Sequence, residues 1–215
     1  MTLKLYFHPL SSYCWKALIA LYENDTAFVP HFLALETEAA RAELTALWPT
    51  SKMPVLRDEA RGETVPETSI LIEYLDQHYP GATRFLPTDP DLARQARLWD
   101  RVFDLYVQGP VQAIVADRLR PNGAKDPFGV EKARADLAVA CALVERQMAE
   151  RAWAIGEVFT LADCAAAPAL FYADKVAPLG DARPHTRAYL DRLQARPSFA
   201  RVLTEAEPYF AMFPQ

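Results

Sequence analysis

Glycine is scarce in this chain: seven residues in 215, where average usage would give roughly 15. The seven, at positions 62, 81, 109, 123, 129, 156 and 180, never approach the G-x-G-x-x-G of a dinucleotide fold or the G-x-x-x-x-G-K of a phosphate loop. Nicotinamide oxidoreductases and P-loop nucleotidases are therefore not expected. Cysteine is also sparse. Cys14, Cys141 and Cys164 are odd in number and far apart, which argues against a disulfide framework or a zinc site and fits a reducing cytoplasm. A basic excess is missing too: 23 Lys and Arg face 28 Asp and Glu, for a net charge of −5. Nucleic acid is not an expected partner. Long apolar runs are lacking, the longest being Cys164 to Ala173 with Pro168 inside it. The opening Met1-Thr2-Leu3-Lys4-Leu5 has no basic stretch followed by an apolar one. Neither a signal peptide nor a membrane span is expected.

Proline is abundant, 17 residues against an average of about 11. At 24.1 kDa the chain can bury roughly 70% of its unfolded surface, enough for one large domain or two small ones without staples.

Up to about Tyr79, strand and helix patterns alternate. Leu3 to Phe7 reads as a strand stopped by Pro9, and Phe28 to Leu35 as a second apolar run broken by Pro30. Between them Cys14, Ala17, Leu18, Leu21 and Tyr22 recur at helical spacing, predicting a helix over 12–24 and a βαβ unit. Pro54 to Arg57 and Glu63 to Val65 read as a hairpin, and Leu71, Tyr74, Leu75 and His78 as a helix ended near Pro80-Gly81. Residues 81–90, rich in proline, read as a linker. Beyond it only helical patterns remain, over 91–117, 128–151 and 160–175, the last opening with a capping-box-like Thr160-x-x-Asp163. Prolines outside Pro54 and the linker are expected to end or bend helices and loops.

Three places carry chemistry. In Leu5 to Lys16 a strand runs through a proline-containing turn and two hydroxyls, Ser11 and Ser12, into a helix whose amino end is a natural anion seat. Either serine reads equally as a plain helix cap. Ser11-x-x-Cys14 has redox C-x-x-C spacing with a hydroxyl in place of the first thiol, which excludes intramolecular dithiol exchange. In Ser51 to Leu56, Pro54 starts a strand after a polar loop, where a cis bond or an ordinary edge proline both fit. Glu67-Thr68 opens the third helix, as caps or as a grip on an amino-acid-like ligand.

Taken together, these segments resemble the cytosolic glutathione transferases. Residues 5–21 are similar to the serine-type, theta- and zeta-like, first strand and helix. Lys52-Met53-Pro54-Val55-Leu56 resembles the V-P-x-L loop, and Glu67 to Leu75 resembles E-S-x-A-I-x-x-Y-L. Gly156-x-x-Phe159-Thr160-x-Ala162-Asp163 resembles the G-x-x-F-S-x-A-D motif. The resemblance spans the whole chain in the right order.

It implies an α/β thioredoxin-like glutathione-binding domain over 1–80, a linker over 81–90, and an all-α domain over 91–215 that contributes the hydrophobic-substrate site. Ser11, with Ser12 as runner-up, would donate to the sulfur of glutathione. Met53, before a cis Pro54, would hold the cysteinyl backbone; Glu67 and Thr68 the γ-glutamyl end; and Lys52 the glycyl carboxylate. Phe103, Tyr106, Val107, Pro110 and Ile114 are the implied acceptor residues, and the aromatic tail Tyr209 to Phe213 is a further candidate. The implied activity is thiolate attack on a small hydrophobic electrophile by a cytoplasmic homodimer that needs no metal. Isomerisation or peroxide reduction on the same site, or a binding module without turnover, are the alternatives; Tyr13 replaces the cysteine of the Ser-Ser-Cys run usual in zeta-like isomerases. Tyr6, Cys14 and the four histidines read as structural, and Asp163 as a cap.

Overall fold

The largely buried run Leu3–Phe7 makes β1, and a parallel partner at Val29–Phe32 makes β2, joined by α1 over Ser12–Glu23. This is the expected βαβ unit. β3 (Val55–Asp58) and β4 (Glu63–Val65) form an antiparallel hairpin, and the sheet order is β2-β1-β3-β4. A computed structural model carries these elements and describes residues 2–214. The chain divides into two units, one reaching Leu86 and including Pro197–Phe210, the other Pro87–Arg196 with the residues from Ala211.

Within the first unit, α2 (Glu38–Leu47) was not legible in the sequence, because its only buried residue is Leu44. Leu44 joins Tyr6, Leu33 and Val55 in a small core against which Met53 and Trp48 pack. The helix is held locally by Thr37, whose hydroxyl accepts the Ala40 N–H. α3 (Thr68–His78) follows β4, and α9 (Pro197–Ala206) returns to pack on α1, with Trp15 against Phe199.

The long elements described in the second unit are helices: α4 (Pro90–Arg101), a π-helical stretch at Val102–Val107, α5 (Gln108–Leu119), α6 (Pro127–Met148), α7 (Leu161–Val176) and α8 (Pro184–Ala195). In the wide turn Gln108 N–H reaches back to Phe103 O. Pro110, which has no N–H to offer the ladder, lies just beyond it. No helix among the described residues is long and apolar enough to cross a membrane.

The prolines act differently from expectation. Pro90, Pro127, Pro184 and Pro197 each begin a helix, where the missing N–H is not needed and the fixed φ already suits the turn. Pro110, at the third position of α5, and Pro168 in α7 lie within helices.

Residues 81–86 are fastened rather than free. Asn24 Nδ2 donates to Thr83 O and Asn24 Oδ1 accepts Thr83 N–H, both at 2.8 Å. Asp76 accepts the N–H groups of Phe85 and Leu86, and Phe85 is fully buried. Gly81 permits this: a Cβ there would lie 2.5 Å from Asn24 Cβ.

Two buried carboxylates organise loops. Asp163 accepts from Ala154 N–H, Thr160 N–H, the Thr160 hydroxyl and the Tyr189 hydroxyl; this is the capping role read from the sequence, extended to α8. Asp58 accepts from the Tyr74 and Tyr79 hydroxyls and from Ala60 and Arg61 N–H. Burial alone would raise its carboxyl, but the Tyr79, Tyr74 and backbone hydrogen bonds together hold it below the ordinary value. A depressed folded pKa contributes stability above the unfolded value, lost as pH falls through the folded one. Asp58→Asn should thus lower stability at neutral pH by about 2 kcal/mol, since donors then face an amide, and should flatten the acid-side loss. Urea midpoints measured from pH 7 to about pH 3 check this; an unchanged acid slope would contradict it.

Candidate active site

The sheet register gathers the chemistry. Tyr6 pairs with Val55 antiparallel, Leu56 with Val65 antiparallel, and Phe7 with Phe32 in parallel. The carboxyl ends of β1, β2 and β4 and the amino end of β3 therefore share one edge. From that edge leave the 8–11 turn, the Met53–Pro54 segment and Glu67-Thr68.

The turn between β1 and α1 contains no glycine, yet its polar groups are held. His8 N–H points at Cys14 Sγ (3.5 Å), His8 O accepts Ser11 N–H (3.1 Å), and Pro9 O accepts Trp15 Nε1–H. Leu10 N–H donates to His8 Nδ1 at 3.2 Å. Ser11 is the N-cap, extended at φ −78 and ψ 121, and its Oγ accepts Cys14 N–H at 3.4 Å. A hydroxyl offers one donor and two acceptors. Capping uses the oxygen, at the positive end of a twelve-residue helix, and the same hydroxyl hydrogen-bonds the Cys14 thiol. Ser11 is half-buried, whereas Ser12 is buried at 6% exposure.

The Met53–Pro54 peptide is cis. Met53 is half-buried and Pro54 buried, while Lys52 is exposed. The preceding loop is tied to α2 through Ser51, whose N–H reaches Trp48 O and whose Oγ meets Thr45 Oγ1 at 2.8 Å.

Glu67 and Thr68 depart from the capping expectation. Glu67 occupies the N-cap of α3 but makes no side-chain cap, and it is held at φ 63 and ψ 111. Its exposed carboxylate is not committed to its own helix. The buried Thr68 hydroxyl instead donates across to Tyr13 O at 3.4 Å. Beside it Lys16 Nζ, fully buried, donates to Ser69 Oγ at 2.9 Å. The amino ends of α1 and α3 are thereby linked twice. Sequence reading passed over Lys16; the available signal was a single cation in the otherwise buried run Cys14–Leu21.

Two structural readings hold. Tyr6 sits in the core at 7% exposure, and Cys14 is fully buried, its thiol pushed up to about 12 by burial. Among the described residues no group of three His, Cys, Asp or Glu is placed for a metal.

The five implied acceptor residues separate. Phe103, Val107 and Ile114 are closed off in the helical core, because they fall on the face that packs inward. Tyr106 and Pro110 line a groove of about 660 Å³ with Leu105, Ala113 and Val139, all within the second unit. In the first unit an aromatic row follows the edge described above: His8 on Phe32 (5.6 Å between centroids), Phe32 on Tyr209 (6.1 Å), and Phe210 on Trp15 (6.1 Å). Phe32 is 45% exposed. It was not singled out from the sequence.

A four-stranded thioredoxin-like α/β unit with hydroxyls at helix amino ends, coupled in one chain to an all-α unit, defines the class. Comparison with known proteins gives the family. Residues 5–83 match the model "Glutathione S-transferase, N-terminal domain" and residues 127–192 match "Glutathione S-transferase, C-terminal domain". The chain is 31% identical to glutathione S-transferase 3 of Zea mays over 209 residues, covering 94% of this chain and 93% of that protein. It is 26% identical to maleylacetoacetate isomerase of Pseudomonas aeruginosa, covering 97% and 98%. A glutathione S-transferase of Methylobacterium radiotolerans, solved with glutathione sulfonate, superposes with a TM-score of 0.83 at 28% identity, over 94% of each chain. The chain belongs to the glutathione S-transferase family.

The left-handed backbone at Glu67 carries a strain of about 1–3 kcal/mol for an L residue. Glu67→Gly should therefore raise stability by about 1 kcal/mol net of the extra chain entropy of glycine, while Glu67→Ala should not. Urea midpoints of the two variants compared with the parent give the answer, and equal midpoints would show that no strain is stored there.

Proposed function

We propose that the chain binds glutathione along the edge formed by the 8–11 turn, Met53–Pro54 and Glu67-Thr68, ionises its thiol, and directs the thiolate at a small hydrophobic electrophile. The observation that carries this reading is the Ser11 hydroxyl, half-buried at the amino end of α1, where its oxygen caps the helix. Ser11 is accordingly preferred to the more buried Ser12, and the site is read as serine-type.

The chemical demand is modest. A thiol with pKa near 8.5 is only about 3% ionised at pH 7, and a two-unit drop corresponds to about 2.7 kcal/mol. One hydroxyl hydrogen bond to a thiolate together with a helix amino end is of that size. The thiol proton passes to solvent, the sulfur lone pair forms the new C–S bond, and the leaving group departs with its electron pair. Orientation supplies the remaining rate.

The other roles follow the resemblance. Met53, beside the cis Pro54, would pair its backbone with the cysteinyl residue. Glu67, with its uncommitted carboxylate, would take the γ-glutamyl amine. Thr68 would serve through its place at the α3 amino end, since its hydroxyl is engaged with Tyr13. The exposed Lys52 would meet the glycyl carboxylate. Residues 1–80 are assigned the glutathione-binding role, 81–90 the connection, and 91–215 a share of the acceptor site through Tyr106 and Pro110. Phe32 and Tyr209 are added as acceptor residues on the first unit. We assign the protein to the cytoplasm as a homodimer; the exposed Leu98, Leu105 and Val139 support self-association.

Isomerisation is the second reading, favoured by the likeness to maleylacetoacetate isomerase. A turnover panel of aryl halides, peroxides and cis-dienoic acids separates the activities, with glutathione binding measured by calorimetry. Ser11→Ala should lower kcat/KM about 100-fold, as expected for loss of a donor to a developing anion, and Ser12→Ala should change it little. Turnover unaltered in Ser11→Ala would remove the role given to Ser11, and no glutathione binding at millimolar concentration would remove the reading as a whole.

A further inference from the structure

His8 touches the turn that presents Ser11 at three points: its N–H faces Cys14 Sγ, its carbonyl holds Ser11 N–H, and its ring Nδ1 holds Leu10 N–H. The third contact restricts the ring chemistry. A ring nitrogen that accepts an N–H must be unprotonated, so the proton of the neutral imidazole lies on Nε2. The ring bridges residues i and i+2 as an asparagine does in an Asx turn. It is half-buried against Phe32, which fixes its plane.

We propose that His8 is a positioning residue for the glutathione reaction: its neutral imidazole, accepting Leu10 N–H on Nδ1, sets the 8–11 turn and with it the Ser11 hydroxyl, and protonation of the ring releases both. This rests on the glutathione reading given above. Two N–H groups cannot share one hydrogen bond, so a proton on Nδ1 turns the contact with Leu10 into a clash of donors. Ser11 N–H is tied to the same residue, so the cap moves with the turn. A displacement of about 1 Å at such a site costs up to 100-fold in rate.

Among the groups around the ring, Glu36 in the β2–α2 connection favours the protonated form, while burial disfavours it and prevails, holding His8 below the ordinary histidine value. Cys14 on α1 is neutral, since its thiol is pushed up to about 12. Phe32 brings no charge to the ring face. The neutral, turn-holding ring is therefore the form present near pH 7, and the released form appears on acidification.

Two measurements on the full chain test this. In the first, NMR follows the His8 ring and the Leu10 and Ser11 amides between about pH 8 and 5. The amides are expected to titrate with the ring. This arm needs neither glutathione nor turnover, so it tests the coupling of the ring to the turn separately from the glutathione reading.

In the second, kcat/KM for glutathione conjugation is measured against pH for the parent, His8→Asn and His8→Leu, with thermal melts to verify folding. The Asn Oδ1 falls where Nδ1 does and does not titrate. His8→Asn should therefore stay within about twofold of the parent at neutral pH, while His8→Leu loses about tenfold, mostly in kcat, as for one lost hydrogen bond. The parent acid limb should show an ionisation beyond that of the thiol, absent in His8→Asn. Amides that ignore the ring titration, or a folded His8→Asn as impaired as His8→Leu, or acid limbs of the same shape in parent and His8→Asn, would each overturn the proposal.

Discussion

The antiparallel pairing of β1 with β3, fixed at Leu5 opposite Leu56 and Tyr6 opposite Val55, is the constraint on which the site depends. A one-residue slip of β3 would send Val55 and Leu56, fully buried on opposite faces of the sheet, each to the other face, so packing on both faces sets the register. That register decides where both strands meet their connections. Because β2 runs with β1 and β4 runs against β3, three chain segments with separate sequences emerge together. The polar groups of the site are thus positioned by apolar side chains that never touch it.

Much of this was legible beforehand, for identifiable reasons. The βαβ unit, the hairpin and the helical second half show in apolar periodicity, and the cis bond at Pro54 and the cap at Asp163 show in short motifs. What stayed hidden is instructive. α2 buries Leu44 alone and so leaves no stripe to read. The residues from Pro80 to Pro90 looked like a linker because three prolines and a glycine fall there, yet Asn24 and Asp76, distant in sequence, supply the acceptors and donors that fasten residues 83–86. Helical spacing could not separate core from groove, so Phe103, Val107 and Ile114 were grouped with Tyr106 and Pro110. Thr68 was read by residue type as a cap, whereas its hydroxyl is turned to a neighbouring helix by contacts no local pattern encodes.

The shortage of glycine takes on a structural meaning here. Chains that place backbone close to a ligand commonly rely on glycine for conformational freedom. This one replaces freedom with bonding. In the 8–11 turn a thiol, a ring nitrogen and an indole N–H each secure a backbone group, so ordinary L residues hold a geometry that glycine would leave loose. At Glu67, and at Ser51 in the loop before Met53, the backbone takes a conformation that side-chain residues avoid.

The wide turn at Val102–Val107 bears on how such a chain can change length. A residue added to a regular helix rotates everything after it by about 100°, which here would carry Val111 and Ile114 out of the core. A π-helical turn absorbs one residue locally and lets the remainder keep its facing. Read as an accommodated insertion, this stretch lets the long helix be edited by single residues while α6 and α7 continue to find the same apolar partners. The outward pair Leu105 and Tyr106 marks the widened turn on the helix surface. Phe103 and Val107 within the turn and Val111 and Ile114 after it are thus all held in the core.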